Sequence, residues 1–486
     1  MSSTDLNAAA PAAWQGSGRL ILGIIAGVLT FWLFAQSVVN IVPAIQQEVA
    51  MPLASLNLAI SLTGLFSGCF IVAAGGFADR FGRVKITQLG LLLSIIGCLC
   101  LIISQNALLF AVGRIIQGLS AACIMPATLS LIKAYYQDEA RQRALSYWSI
   151  GSWGGSGLCS LAGGAIATYC GWKWVFILSI ICAVAGMALI RGTPESKVPT
   201  TQKNRFDYPG LFTFVVMLLC LNWAITKGSA FGWLSGWVVI PGGVCLLAAL
   251  LFFTGARRKK SASFIDFALF KQRAYSGATL SNFLLNAVAG TLIVASVYVQ
   301  QGRGFSAFHA GMLTIGYLVA VLSMIRVGEK LLQRVGARRP MLWGTAITGL
   351  GVALMALTLL PDGLYLAAVF IGYILFGLGL GFYATPSTDT AISSAPEDKI
   401  GVASGIYKMA SSLGGAFGIA ISASVYAAML PQGAAVAATT GLLVNVLFCA
   451  ISFLAIALMV PRQAPKPDVA GYGEGDGFPP PGAGCG

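Results

Sequence analysis

Two apolar runs joined by a short charged turn constrain this chain more than any other stretch. Residues 56–78 and 86–104 contain no Asp, Glu, Lys or Arg, and between them runs Gly75-Gly76-Phe77-Ala78-Asp79-Arg80-Phe81-Gly82-Arg83-Val84-Lys85. Each run is close to the roughly 20 residues a helix needs to cross a bilayer. The turn must therefore sit at the surface of an apolar medium and join two helices committed to it. Its glycines permit close backbone approach, and its Asp and Arg residues can bridge to neighbouring helix ends. Basic connections also arise simply because they keep one side of a membrane protein in place. The turn alone does not separate these two readings.

The pattern continues along the chain. Of 486 residues, 57% are hydrophobic and 9% charged, against about 25% charged in soluble domains. Fourteen apolar runs can be laid out, near 19–41, 56–78, 86–104, 107–133, 144–168, 172–190, 208–226, 236–254, 275–300, 308–328, 341–360, 363–392, 402–428 and 436–460. The net charge of +14 comes from Lys and Arg in short connections, so it is a topology signal and not a nucleic-acid surface. With the N-terminus inside, Arg80, Arg83, Lys85, Lys133, Arg141, Arg143, Arg257 to Lys260, Lys330 and Arg334 all fall on the cytoplasmic side. Lys173, Lys227 and Arg303 alone fall outside, and the even number of spans predicts both termini inside. Residues 1–18 lack the basic start of a signal peptide and read as a cytoplasmic tail. The Pro- and Gly-rich stretch 461–486 reads as a disordered one.

An internal repeat divides the runs. Gly118 to Pro126 (GLSAACIMP) is echoed by Gly377 to Pro386 (GLGLGFYATP), and Gly151 to Gly157 (GSWGGSG) by Ser412 to Gly418 (SLGGAFG). The charged turn has its own echo at 328–339, where Gln333 stands in the place of Asp79. The expected architecture is an all-α membrane protein with two pseudo-symmetric six-helix bundles, 19–190 and 275–460, around a central pathway. The segment 191–274 then holds a linker and two inserted helices.

Ionisable groups inside spans are functional candidates by default, because each costs about 3 kcal/mol on insertion scales. Arg114 and Asp389 are singled out on that ground. A structural Arg bonded to backbone carbonyls, and an Asp paired with a basic side chain at the membrane mouth, are the plainer alternatives. Gln117 lies one turn beyond Arg114 and can share its face. Gln36, Asn40, Asn282, Asn286 and Tyr298 lie in the first and ninth spans, which open the two halves, and are expected to line the pathway. Phe31, Trp32, Phe34, Trp148 and Trp153 could stack on a flat ligand or simply pack between helices. The glycine runs serve close helix packing. The eleven Cys are scattered without a CxxC, and His309 is the one histidine. No metal, nucleotide or nucleophile motif is present, so no cofactor is expected and no ATP-driven cycle can be built.

These motifs resemble the major facilitator superfamily. GGFADRFGR at 75–83 is similar to the loop motif between its second and third helices, and RIIQGLSAA at 114–122 to its fourth-helix motif. The fourteen spans, with FWLFAQSVVNIVP at 31–43, RQRALSYWSIGSWGGSG at 141–157 and YATPSTDTAI at 383–392, point to the 14-helix drug:proton antiporters. The resemblance implies a monomeric exporter of the bacterial inner or plasma membrane. It would expel fluoroquinolones and other amphipathic, often cationic, drugs in exchange for protons. It implies a conformational gate at Gly75, Asp79, Arg80, Gly82 and Arg83, and a coupling role for Arg114. Two departures stand out. Ala35 occupies the place where many 14-helix antiporters carry a first-helix acid, and Cys159-Ser160 replace the Gly-Pro of the fifth-helix motif. Asp389 is then the leading proton carrier by elimination. A same-fold carrier of a physiological solute or lipid, by uniport or symport, and a non-transporting sensor are the competing functions.

Overall fold

A computed structural model describes residues 14–49, 51, 53–198, 206–305 and 307–462. Both expected tails lie largely or wholly outside these residues. The described chain is helical throughout. In the first half, α1 (Gly18–Leu29) passes through a π turn (Thr30–Phe34) and a 3-10 turn (Ala35–Ser37) into α2 (Val38–Glu48). There follow α3 (Leu53–Phe81), α4 (Arg83–Ile103), α5 (Ala107–Tyr135), α6 (Asp138–Tyr169) and α7 (Lys173–Ile190). Two further helices, α8 (Tyr208–Phe231) and α9 (Gly236–Lys259), precede the second half. That half contains α10 (Arg273–Ala287), α11 (Gly290–Val297), α12 (Ala307–Leu313), α13 (Ile315–Val335), α14 (Arg338–Met355), α15 (Asp362–Ser393), α16 (Ile400–Met429) and α17 (Ala434–Met459).

Each of the fourteen expected runs is helical, and α1 with α2, α10 with α11, and α12 with α13 make single interrupted rods. Among the described residues, twelve helical spans are both long enough and apolar enough to cross a membrane. The expected runs at 144–168 and 341–360 are the two below that standard. They lie in α6 and α14, which carry Arg141 and Arg143, and Arg338 and Arg339, at their basic ends. Both are packed inside the bundle, α6 against α1 and α13, α14 against α15 and α17.

The repeated glycines perform matching work. A Cβ on Gly118 of α5 would come within 2.5 Å of the Thr63 carbonyl on α3, and one on Gly377 of α15 within 2.3 Å of the Tyr317 carbonyl on α13. The second pair of Gly-rich runs matches as well. Gly155 of α6 lies against the Trp32–Leu33 backbone, and Gly414 and Gly418 of α16 lie against the Phe283 and Ala287 carbonyls of α10. Only a hydrogen fits at these crossings, which is how membrane helices gain packing without a hydrophobic driving force between them.

The first rod of each half is broken where it meets its glycine-rich partner. The π and 3-10 turns at 30–37 free backbone carbonyls that lipid cannot satisfy. Ser37 Oγ ties this segment to the Cys159 carbonyl (2.9 Å), and Arg114 reaches the Ala35 carbonyl (2.8 Å). Beside the second half, α8 and α9 pair with each other, and α8 also packs on α3 and α16. Asp207 caps α8 through the Gly210 amide and also accepts from Lys259 and the Phe264 amide. Burial would raise the Asp207 pKa, but these donors together hold it below the usual carboxylate value.

Candidate functional site

A cavity of about 610 Å³ lies between the two halves. The broken segment of the first rod contributes Phe31, Trp32 and Gln36, and α6 contributes Trp148, Trp153 and a stripe of serines at 149, 152 and 156. The second half supplies Asn282 and Asn286 from α10, Tyr317 from α13, Phe376 and Tyr383 from α15, and Tyr407, Lys408 and Ser411 from α16. The inserted helix α8 also reaches the wall through Asn222, Trp223 and Lys227. Aromatic faces alternate with hydroxyls and amides, a lining suited to an amphipathic ring system.

Several wall residues are held rigidly. Asn282 donates to the Tyr407 carbonyl (3.0 Å) and to Ser411 Oγ (2.7 Å), joining α10 to α16, and Asn286 donates back to Asn282 Oδ1 (2.9 Å). The Trp148 indole donates to Thr128 Oγ1 (3.0 Å), and the Lys408 ammonium lies 4.8 Å from the Trp148 ring centroid.

The structure brings Gln36, Trp148, Asn282 and Asn286 to the cavity. The Asn40 side chain lies outside the described part. Gln117 and Tyr298 depart from expectation. Gln117 is buried behind the wall, where it accepts from Arg114 (2.8 Å) and donates to Cys98 Sγ (3.4 Å). Tyr298 faces Arg303, which donates to its hydroxyl (3.0 Å), in a cluster with Tyr365. Phe34 packs against an apolar cluster that joins α2 to α4, α5 and α7, and is not among the residues lining the cavity. Phe34 and Tyr298 fall in the π turns at 30–34 and 298–302, where the regular helical register is lost, whereas Gln117 sits on the unbroken α5 and is turned toward Arg114 and Cys98.

Arg114 is completely buried and donates to Ala35 and Gln117, with a longer bond to the Ile60 carbonyl (3.4 Å). Its guanidinium meets carbonyls and an amide, the plainer of the two alternatives, and fastens the break of the first rod to α3 and α5. Asp389 is buried at the basic end of α15 and accepts from Arg141 Nε of α6 (2.9 Å). Its neighbour Thr388 faces the cavity, so the ion pair lies just beyond the cavity floor.

The basic face of the cavity is sealed by charges that meet helix ends across the two halves. The Asp79 carboxylate at the end of α3 accepts from the amides of Gly401 (2.9 Å) and Val402 (3.1 Å), the first turn of α16. Those amides have no partner within their own helix, and the helix dipole favours an anion there. Arg83 braces the same carboxylate (3.0 Å) and donates to the Glu397 carbonyl (2.9 Å). The opposite arrangement occurs at α15, where Lys133 of α5 donates to the Ile392 carbonyl (2.8 Å) and to the Ala395 carbonyl. Gly75 lets the seam close, since a Cβ there would lie 2.2 Å from the Gly401 carbonyl oxygen. Gly82 adopts φ +125°, which a side chain would strain. Arg80 does not join the seal and instead lies over Phe206 (5.5 Å) on the outer surface. Among the described residues, α1–α2 and α10–α11 form no comparable seam at the opposite mouth.

Lys408 went unremarked in the sequence, and Lys227, expected there in an outside connection, lies on α8 at the cavity wall. Lys408 stands about as far into its run as Arg114 does into its own, so the same test would have found it. The α8 residues carried no signal, because an inserted helix has no counterpart in the repeat.

Comparison with known proteins places this geometry. Residues 22–419 match the family model described as Major Facilitator Superfamily. The chain is 54% identical over 455 residues to "Quinolone resistance protein NorB" of Staphylococcus aureus (strain MRSA252), covering 93% of this chain and 97% of that protein. The protein of the same name from strain MW2 is likewise 54% identical, over 456 residues. Among solved structures, the proton:xylose symporter XylE aligns with a TM-score of 0.63 at 15% identity, over 91% of this chain and 95% of that one. The human organic anion transporter MFSD10 aligns at 0.60 and 14%, over 90% and 98%. At these identities the two structures speak for the fold.

Proposed function

Because the chain belongs to the Major Facilitator Superfamily, and is thus a multi-pass membrane transporter and not an enzyme, we propose that it exports amphipathic aromatic drugs in exchange for protons. Fluoroquinolones are the first substrates to test, given the name of its 54% identical relatives. The observation that carries the reading is the central cavity, walled by both halves and shut on one face by contacts that can separate without unfolding any helix. A carrier of this kind must open its cavity to one side and then the other. Charges seated on helix ends suit that task, because each partner can be rehydrated as the seam parts.

In this reading the unit is a monomer in the bacterial plasma membrane, with the basic face and both termini in the cytoplasm. Residues 19–190 and 275–460 move against each other, with 191–274 as the link. Asp389 receives the exchanged proton. A neutral carboxyl would lose its charge attraction to Arg141, which loosens the seal near the cavity floor and couples protonation to opening inward. Arg114 holds the shape of the first rod at its break and acts on the cavity only through it. Gly75, Asp79, Gly82 and Arg83 form the gate, with Arg80 orienting it from the outer surface.

Everted membrane vesicles to which a fluoroquinolone or a fluorescent dye is added from outside provide the test. Uptake into the vesicles should rise with an acid interior and collapse when the pH gradient is dissipated. Uptake that ignores the gradient would remove proton exchange from the proposal. No uptake of any such compound would remove drug export.

A further inference from the structure

The cavity wall carries two ammonium groups and, among the described residues, no carboxylate. Lys227 lies 5.9 Å from the Trp223 ring centroid at the α8 edge. Lys408 is more deeply placed, eight residues beyond the start of α16, or about 12 Å along the helix axis. Its ammonium faces the ring of Trp148, and that ring is fixed by the bond to Thr128. The buried carboxylates among the described residues are engaged elsewhere: Asp389 with Arg141, Asp79 with the α16 amides, Glu329 with Arg326, and Asp207 with Lys259. The amide donors of Asn282 and Asn286 are spent on their neighbours. A cation facing a cavity in the membrane interior without a counter-ion is costly, and an indole face offsets only a modest part of that cost.

We propose that Lys408 selects the ligand, so that the cavity favours aromatic molecules carrying a carboxylate or comparable anion over purely cationic ones. The ligand's ring system packs among Trp32, Trp153 and Phe376, and its anionic group completes the ion pair that the wall leaves open. A cation with no anionic group meets two charges of its own sign. This inference rests on the export reading, since it names the chemistry of the same cavity, and it reverses the preference for cationic drugs that family resemblance implies.

Equilibrium binding to the purified full-length protein in detergent tests the idea apart from transport. Norfloxacin and its methyl ester differ in the carboxylate alone. The wild-type protein should bind the acid on the order of tenfold more tightly than the ester, as expected for a charge-assisted bond in a dry site. Lys408→Met should abolish that preference, and Lys408→Arg should retain it. Equal binding of acid and ester by wild type, a preference that survives in Lys408→Met, or no binding of either compound would overturn the proposal. Acid-selective binding without vesicle transport would instead count against export and leave the selection by Lys408 standing. The wild-type comparison needs no variant, so a failure of Lys408→Met to fold does not shield the idea.

Discussion

The two halves meet along two related seams, and the seams are built differently. Along the first, α3 lies against α16, and a carboxylate on one half seats itself on backbone amides of the other. Gly75 and Gly401 bring main chain against main chain there, and Gly405 continues the contact against the Ile71 carbonyl. Along the second, α6 lies against α13, and glycines of α6 meet side chains: Gly154 and Gly157 face the ends of Leu322 and Leu318. The buried carboxylate of this seam, Glu329, pairs with Arg326 and accepts from Gln333, both on its own helix. Across this α6–α13 seam, among the described residues, the charged contact is the Arg326 guanidinium, 4.9 Å from the Tyr147 ring centroid. Duplication thus preserved the helices and their crossings, while a carboxylate seated on the other half's helix N-terminus is found in one copy alone among the described residues. A rigid, charge-locked seam next to an adaptable one suits a carrier whose halves must separate repeatedly on one face.

The largest effect expected from this contrast is at Asp79. Asp79→Ala leaves Arg83 buried without its partner and strips the α16 amides of their acceptor. Breaking a buried pair in this way costs about 3–5 kcal/mol, so the sealed state should lose more than about a hundredfold in population. A cysteine introduced in place of Ser404, which is buried just past the seam, should become reactive from the basic face, and export should fail with protein still present in the membrane. Asp79→Asn keeps an acceptor and should slow turnover less severely. Unchanged labelling in Asp79→Ala would mean that the carboxylate does not lock this seam.

Asp389→Asn comes next. It removes a charge-assisted bond worth about 1.5–3 kcal/mol from the Arg141–Asp389 ion pair that joins α6 to α15. Proton release measured per drug exported should vanish, while drug binding persists. Normal proton release would assign coupling to another group. The glycines then offer a direct contrast. Gly75→Ala forces a methyl against a backbone oxygen and should cost about 1–3 kcal/mol as overpacking. Gly154→Ala meets a movable Leu322 methyl at 3.1 Å and should stay within about 0.5 kcal/mol. Thermal unfolding of the two variants, side by side, measures the difference; equal losses would erase the distinction between the seams.

What was legible in the sequence follows the same division. Apolar runs, repeated glycines and basic connections are properties of single segments, so the helices and their pseudo-symmetric pairing could be read directly. The partner of Asp79 could not, because it is a pair of backbone amides, which have no residue signature of their own. Gln333 stands in the place of Asp79, and Glu329, a helical turn earlier, pairs with Arg326 and Gln333 of its own helix instead of reaching the first half. Lys408 was legible as a charge inside a run, but its meaning depends on six or more segments converging to leave its ammonium facing a cavity. Tyr298 was misplaced because regular periodicity cannot anticipate a π turn, and Gln117, on an unbroken helix, because its bonds to Arg114 and Cys98 turn it away from the cavity.

The smallest effect should come from Glu329→Gln, and it bears most directly on the asymmetry. The substitution keeps the side-chain shape but removes the charge that pairs with Arg326. Because both residues belong to α13, the loss falls on that helix and its packing against α15, at about 1 kcal/mol or less for a pair whose Arg is partly exposed. Thermal stability should drop slightly, while labelling of the cysteine at 404 and the rate of export stay near wild type. The Arg326 contact with Tyr147 remains available in the variant, since it needs the guanidinium and not the carboxylate. If Glu329→Gln instead exposed residue 404 as strongly as Asp79→Ala does, the two seams would be equivalent locks and the second carboxylate would have to act across the halves.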